Sequence, residues 1–220
     1  MLNKKQMGFT LVEIAIVLVI VGLLIGGVLK GQEMITNAKL KRIESDNAGL
    51  LAALYSYQDR YLQLPGDDDA ASTRFSVYGS TAVDGNGDGV IGNGSDWLDS
   101  TAWAQGAVGE TTKFFGHLRA SGLIAGGASD ANRPTNAFGG QIGIQEGSLG
   151  MVGQITVFGN IDGGIASILD GRMDDGLGNA GRVRSADVAL ATDGSQMAAS
   201  ASGATATYDD STSYHMAFRL

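Results

Sequence analysis

The N-terminal part of the chain contains a run of apolar residues that is interrupted by only two polar side chains. Residues 9–29 are apolar or glycine except Thr10 and Glu13. At about 1.5 Å per residue, a helix over this range is roughly 31 Å long, close to the thickness of the hydrocarbon core of a bilayer. The pattern therefore predicts a membrane-spanning helix over residues 9–29. Glu13 is unusual in such a helix, because a carboxylate inside the membrane is costly unless a partner offsets it.

After residue 29 the pattern of apolar positions changes but stays helical. Residues 30–64 contain no proline, and apolar side chains recur at spacings of three, four and seven, with Asn47 as the one polar member of the stripe. Pro65 and Gly66 end the pattern. It predicts that the same helix continues over residues 30–64 as an amphipathic half, whose apolar stripe lies on a globular headpiece at residues 65–220. The stripe consists of Leu40, Ile43, Leu50, Leu54, Tyr57 and Tyr61.

The headpiece alternates between helical and strand periodicities. Within the first predicted helix of this region, Phe114, Phe115, Leu118 and Leu123 face inward. The order of elements predicts an α+β fold in which a small antiparallel sheet packs against the long N-terminal helix. The predicted elements are a helix over residues 110–123, strands over 141–145 and 154–158 with a turn at 147–150, a helix over 161–173, and strands over 182–190 and 214–220.

Composition and charge exclude several classes of function. The net charge of −8 speaks against nucleic-acid binding, which needs basic patches to neutralise phosphates. The chain has no cysteine, so disulfide bonds are excluded. His117 and His215 are the only histidines, and no hydrolase, metalloprotease or phosphate-loop pattern is present. We therefore expect a protein that is not an enzyme, with His117 packed in its helix or exposed on the surface.

One headpiece segment has the spacing of a calcium-binding loop. Asp84, Asn86 and Asp88 place side-chain oxygens at the first, third and fifth positions, and Val90 offers a backbone carbonyl at the seventh. The twelfth position is Ser95 and does not carry the glutamate of a complete calcium loop, but Asp96 or Asp99 could substitute with the register shifted by at least one residue. The pattern predicts a structural Ca²⁺ at this loop with part of its ligand set supplied from elsewhere. An ordinary surface turn rich in Asp, Asn and Gly is the alternative.

Two other acidic segments are interpreted without a ligand. The triplet at residues 67–69 follows the end of the long helix and is expected to be a solvated loop. At residues 168–176 (ILDGRMDDG), a helix is expected to end in an acidic turn. Asp174 and Asp175 are not predicted as a catalytic pair, because adjacent turn residues seldom converge on one substrate atom.

The first residues of the chain leave three interpretations of the apolar run. Lys4 and Lys5 precede it, which predicts that the N-terminus stays in the cytoplasm. A secretory signal peptide has a shorter apolar region and a small-residue cleavage site, which this chain lacks. A plain signal anchor leaves Glu13 unexplained. The combination of a basic leader, Gly8, Phe9 and Glu13 opening an apolar helix closely resembles the class III signal of type IV pilins and type II secretion pseudopilins.

This resemblance implies a pilin-like fold and a structural role. It implies that prepilin peptidase removes residues 1–8 between Gly8 and Phe9, and that the new amino group of Phe9 is methylated. In the filament of the family, Glu13 would pair with that amino group on a neighbouring subunit. The implied partners are identical or related pilin subunits, the prepilin peptidase, and the inner-membrane platform and ATPase of the assembly machinery.

The same resemblance implies a location and leaves some choices open. The subunit would be stored in the inner membrane as a single-pass, N-in protein and would then enter a periplasmic or cell-surface filament. The family also implies a structural Ca²⁺ in some pseudopilin headpieces, nearer the C-terminus than residues 84–90. Both a type IV pilus and a type II pseudopilus fit the sequence. A membrane-anchored calcium-binding surface or adhesive module that does not polymerise is the alternative function.

Overall fold

A computed structural model of the chain describes residues 9–77, 84–92, 109–130, 132–187 and 207–220. The chain divides into two compact units, Met1–Lys41 and Arg42–Leu220. The first helix, α1, spans Leu11–Tyr61 and contributes to both units.

The first unit is helical from Leu11 onwards, two residues after the predicted start at Phe9. Helix α1 also ends at Tyr61, three residues before the predicted end at residue 64. The large apolar side chains of residues 11–29 are exposed, although exposed apolar surface of this extent is unfavourable in water. Among the described residues, α1 alone is a helix long and apolar enough to cross a membrane. The length and exposure of this segment fit the predicted membrane-spanning helix.

The second unit contains the sheet and the remaining helices. Its four strands are antiparallel to their neighbours and lie in the order β1-β2-β4-β3. A long helix packed on a small antiparallel sheet confirms the predicted α+β fold. The elements after α1 are α2 (Ala71–Arg74), α3 (Glu110–Ala120), β1 (Ile142–Ser148), β2 (Met151–Asp162), α4 (Gly163–Met173), β3 (Val183–Asp187) and β4 (Ser213–Arg219).

The part of α1 in the second unit buries the predicted apolar stripe. Ile43, Leu50, Leu54 and Tyr57 are buried, and Tyr61 is half-buried. The one polar member of the stripe has a partner on the sheet. The hydroxyl of Thr156 in β2 donates a hydrogen bond to Oδ1 of Asn47. Because this bond joins a half-buried side chain of the helix to a buried side chain of the sheet, it favours one register of the helix on the sheet.

The β1–β2 hairpin confirms the predicted turn and shows that the second strand is longer than predicted. The backbone φ angles at Leu149 and Gly150 are 50° and 75°, as in the type I′ turns that suit hairpins. The strand continues past Phe158 through a bulge at Asn160, where φ is 58°. The helix predicted from residue 161 therefore begins later, at Gly163.

Helix α3 ends three residues earlier than predicted, since the prediction reached Leu123 and the helix ends at Ala120. Gly122 has a φ of 73°, which an L side chain rarely adopts. Its N–H donates to the carbonyl of Arg119, and the N–H of Leu123 donates to that of Leu118. These two bonds form a Schellman motif, which satisfies the last carbonyls and stops the helix.

The acidic turn after α4 confirms the helix-ending interpretation of residues 168–176. The N–H of Asp174 donates to the carbonyl of Asp170 at 2.7 Å and closes the helix. The Asp174 carboxylate then accepts bonds from the backbone N–H groups of Arg182 and Val183. The turn thus ties the end of α4 to the start of β3. The other two predicted strands, over residues 182–190 and 214–220, correspond to β3 and β4. Residues 188–190 of the first prediction lie outside the described residues.

Candidate functional site

The candidate site in the first unit is the start of α1, where the two polar residues of the apolar run contact each other. The backbone N–H and the hydroxyl of Thr10 both donate to Oε2 of Glu13, each at 2.8 Å. The backbone N–H of Glu13 in turn lies 3.3 Å from the Thr10 hydroxyl oxygen. This reciprocal arrangement of Thr at the N-cap and Glu three residues later is a capping box. It satisfies N–H groups that the first turn of a helix otherwise leaves without partners.

The surroundings of Glu13 are apolar and exposed. Phe9, Leu11 and Val12 precede it with more than half of their surface exposed, at 84%, 91% and 66%. The structure places Phe9 and Glu13 at the start of α1 as the sequence predicts, whereas Gly8 lies outside the described residues. A carboxylate in an apolar, exposed helix is costly in lipid, which makes a charged partner from another chain favourable.

The acidic triplet after α1 corrects the expectation of a solvated loop. Asp67 and Asp68 are almost fully buried, and only Asp69 is exposed. Asp68 accepts a hydrogen bond from the Tyr57 hydroxyl at 2.6 Å and forms an ion pair with Arg74 at 2.9 Å. Asp68 therefore joins the end of α1 to the short helix α2, a role that the run of like charges conceals.

The pKa of Asp68 reflects two opposing effects. Burial alone raises the pKa of a carboxyl group, because it disfavours the charged form. Hydrogen bonds from Tyr57, the Ala70 N–H and Arg74 outweigh burial and lower the pKa of Asp68 below its usual value. The carboxylate is therefore ionised at neutral pH and depends on these donors.

Asp67 and Glu110 hold the predicted calcium loop from two sides. Asp67 accepts from the N–H groups of Asp88 and Gly89 at 3.0 and 2.9 Å. Glu110, the first residue of α3, accepts from the N–H groups of Asn86 and Gly92 at 3.1 and 2.9 Å. The loop at residues 84–92 is thus clamped by two carboxylates from outside it.

The close approach of the loop to Asp67 explains one of its glycines. A Cβ on Gly85 would lie 2.2 Å from the backbone carbon of Asp67, which is far inside contact distance. The N–H of Gly85 also donates to the carbonyl of Asp68 at 2.8 Å. Glycine at this position lets the loop reach the buried acidic residues.

The predicted metal ligands within the described residues make hydrogen bonds inside the protein. The Asp84 carboxylate accepts two hydrogen bonds from Ser72, at 2.6 and 2.8 Å. Asn86 and Asp88 bond to each other, and Oδ1 of Asp88 accepts from the Val90 N–H at 3.0 Å. The fifth predicted ligand, Asp96, lies outside the described residues.

Of the predicted ligands, Asp88 lies close to other carboxylates. Ligand oxygens of Asp67, Asp88 and Glu110 all lie within 4.8 Å of one another. Burial raises the pKa of Glu110 despite its two backbone donors, and the neighbouring carboxylates add to the rise. Carboxylate oxygens are hard donors of the kind that a divalent cation prefers, and this group supplies three of the six to eight ligands that Ca²⁺ takes. Whether Ca²⁺ binds here stays a prediction.

Sequence reasoning missed Asp67 and Glu110 as partners of the loop. They lie 21 residues before Asp88 and 24 residues after Asn86. The available signal was Glu110 at the start of a predicted helix, where a carboxylate is favoured by the helix dipole. No spacing rule connects that position to a loop so far away along the chain.

The two histidines lie in packed surroundings. His117 is 1% exposed, stacks on Tyr57 and accepts a hydrogen bond from the Gly66 N–H at 2.9 Å. The sequence predicts that His117 is either packed in its helix or exposed on the surface, and the structure shows that it is packed. Burial lowers the pKa of His215 in β4 to about 4, so this ring is neutral at physiological pH.

Comparison with known proteins identifies the N-terminal segment. Residues 3–29 match the prokaryotic N-terminal methylation motif. No curated protein and no solved structure shows significant similarity to this chain. The matched range contains Phe9, Thr10 and Glu13, and it supports a class III signal of the kind found in type IV pilin-like proteins. Together with the fold, it supports a pilin-type or pseudopilin-type precursor that prepilin peptidase processes.

Proposed function

We propose that the chain is a structural subunit of a type IV pilus-like or type II secretion pseudopilus filament. The observation that carries this proposal is the methylation motif at residues 3–29, which ends in an exposed apolar helix with Glu13 near its start. Prepilin peptidase would cut between Gly8 and Phe9, and the new amino group of Phe9 would be methylated. The mature subunit would then assemble through α1.

The proposed assembly gives Glu13 the partner that its location requires. Cleavage creates an ammonium group at Phe9, which would pair with Glu13 of a neighbouring subunit. Two opposite charges about 4 Å apart attract each other by roughly 4 kcal/mol at an effective dielectric constant of 20. A lone carboxylate in lipid lacks this compensation, so the pair favours the filament over the isolated subunit.

Location and machinery follow from the same proposal. Lys4 and Lys5 favour an N-terminus on the cytoplasmic side, with a single crossing of the inner membrane. The second unit would then lie on the far side, and assembly would deliver the subunit to a periplasmic or cell-surface filament. An inner-membrane platform protein and an assembly ATPase would act as partners.

The proposal is tested by comparing Glu13→Ala with Glu33→Ala in cells that carry the processing peptidase. Both residues are exposed carboxylates on α1, but Glu33 lies beyond the apolar run and pairs with Lys30 at 2.8 Å. We expect mass spectrometry to find the cut and the methyl group in both variants. Incorporation into sheared filaments should fall strongly for Glu13→Ala and stay at the wild-type level for Glu33→Ala.

Three results would contradict the proposal or part of it. An uncut chain in cells with active peptidase removes the precursor assignment. Normal incorporation of Glu13→Ala removes the charge-pair mechanism of assembly. A processed chain that never enters a filament, even as wild type, favours the alternative of an anchored surface module.

We also propose that the loop at residues 84–92 binds a structural Ca²⁺. The residues that fit this ion are Asp67, Asp88 and Glu110, which offer three carboxylates close together. Asp84, the first ligand in the sequence prediction, is instead bound to Ser72. A metal at this position would tie the loop to α3 in a chain that has no cysteine for a disulfide.

Thermal unfolding of the full chain in detergent, with Ca²⁺ or with EDTA, tests this second proposal. A site with a Kd of about 0.1 mM stabilises by about 1.4 kcal/mol at 1 mM Ca²⁺. We expect Asp88→Ala to abolish the calcium-dependent rise in Tm and Asp84→Ala to retain it. An equal Tm with Ca²⁺ and EDTA in the wild-type chain would refute calcium binding at this loop.

A further inference from the structure

Thr10 is the one other polar residue of the apolar run, and the proposed function gives it no role. In the structure it makes the hydrogen bonds to the Glu13 side chain. Both of these bonds end on the same oxygen, Oε2. Within the described part of the chain, no donor contacts the other oxygen, Oε1.

We propose that Thr10 is a positioning residue for assembly, which holds Glu13 by one oxygen and presents the other to the amino group of the next subunit. This inference rests on the proposed function, because it specifies how the assembly carboxylate is oriented. A glutamate side chain has several rotatable bonds, and fixing it during association costs free energy. The hydrogen bonds from Thr10 already fix the Glu13 side chain within the subunit, so the side chain loses less conformational freedom when a neighbour binds.

The arrangement is compatible with removal of the leader. The donors are the backbone N–H and the hydroxyl of Thr10, and neither belongs to the bond between Gly8 and Phe9. After the proposed cut, the N–H of Thr10 is still a peptide donor. The same capping box therefore exists in the precursor and in the mature subunit, and Glu13 keeps its orientation through processing.

The test measures how much of a tagged variant enters filaments made mostly of wild-type subunits. Thr10→Val removes the hydroxyl but keeps a branched side chain of similar shape. Thr10→Ser, the control, keeps the hydroxyl. Hydrogen bonds to a charged group are among the stronger ones in proteins. We expect Thr10→Val to lower incorporation roughly tenfold and Thr10→Ser to incorporate at nearly the wild-type level.

A second background separates positioning of the charge from simple capping of the helix. Glutamine serves in a capping box as glutamate does, so Glu13→Gln keeps the cap and removes the charge. If Thr10 acts by orienting the charge, Thr10→Val causes no further loss in the Glu13→Gln background. A purely structural role of Thr10 predicts the same tenfold loss in both backgrounds.

The inference is overturned if Thr10→Val incorporates as the wild type does, or if it causes an equal loss in the Glu13→Gln background. Its failure is distinguishable from failure of the proposed function. Normal incorporation of Glu13→Ala contradicts the charge pair itself. A defect in Glu13→Ala with none in Thr10→Val contradicts the positioning role of Thr10 alone.

Discussion

The two units of this chain use carboxylates in opposite ways. In the first unit, Glu13 is exposed and is held by Thr10, three residues away. In the second unit, Asp67 and Asp68 are buried and bind groups from distant segments. The first arrangement is local and leaves the carboxylate accessible to another molecule. The second binds Asp67 and Asp68 to other groups of the same fold, so these two carboxylates act in folding stability.

The largest effect that tests this contrast is expected from Asp68→Ala. The substitution leaves the Tyr57 hydroxyl without its acceptor and Arg74 without its ion-pair partner. Breaking a buried charged contact of this kind destabilises by about 3 kcal/mol or more. We expect urea unfolding of the full chain in detergent to show this loss in the second unit, with cleavage of the leader unaffected.

Asp69→Ala is the matched control for this experiment, because Asp69 is the exposed member of the triplet. Exposed substitutions usually change the free energy of unfolding by no more than about 0.5 kcal/mol. Equal unfolding midpoints for Asp68→Ala and Asp69→Ala would contradict the structural role of the buried member.

The next effect is a pH dependence that comes from His215. Its pKa is lowered to about 4 in the fold, against 6.5 for an ordinary histidine. The unfolded chain therefore binds a proton that the folded chain excludes between these values, and stability falls as the pH drops from 6.5 to 4. The loss is about 3 kcal/mol at 1.36 kcal/mol per pKa unit.

The control compares the slope of unfolding free energy against pH in the wild type and in His215→Gln. The variant should lose the fall in this range, whatever its absolute stability. Burial raises the pKa values of Glu110 and Asp170, and these groups act in the opposite sense, stabilising the fold as they gain protons below neutral pH. An identical slope in both proteins would show that the pKa of His215 is the same in the folded and the unfolded chain.

The smallest effect is expected at the polar contact between α1 and the sheet. Asn47→Leu removes the nearer acceptor of the buried Thr156 hydroxyl and leaves it only the longer contact to the Phe218 carbonyl at 3.4 Å. The cost is about 1 kcal/mol, the net contribution of one hydrogen bond. Adding Thr156→Val should recover part of the loss, because both partners are then apolar. Additive losses in the double variant would contradict a direct coupling between the two side chains.

The sequence was sufficient where the physical constraint lies along the chain. The apolar run at residues 9–29, the stripe through Ile43 and Tyr57, and the β1–β2 hairpin follow from periodicity and local turn chemistry. The Schellman motif at Gly122 is also local, because a glycine two residues after the last helical residue is a sequence signal of a helix end.

The sequence did not predict contacts between segments that lie far apart along the chain. The triplet at residues 67–69 has the composition of a solvated loop, and only folding brings Tyr57 and Arg74 to its second member. The calcium pattern at residues 84–90 assumes that its own side chains converge. In the fold, the Asp84 carboxylate accepts a hydrogen bond from Ser72, and Glu110 of α3 accepts one from the N–H of Asn86 in the loop.

Helix α1 begins at Leu11, and Phe9 and Thr10 precede it in non-helical backbone. Peptidases bind their substrates as extended chain, which lets the backbone of the substrate reach the catalytic groups. A bond cut after Gly8 would therefore be reached without unwinding any turn of the helix that follows. Proteolysis and helix formation would then be independent events, and the mature end would emerge with its first turn already formed.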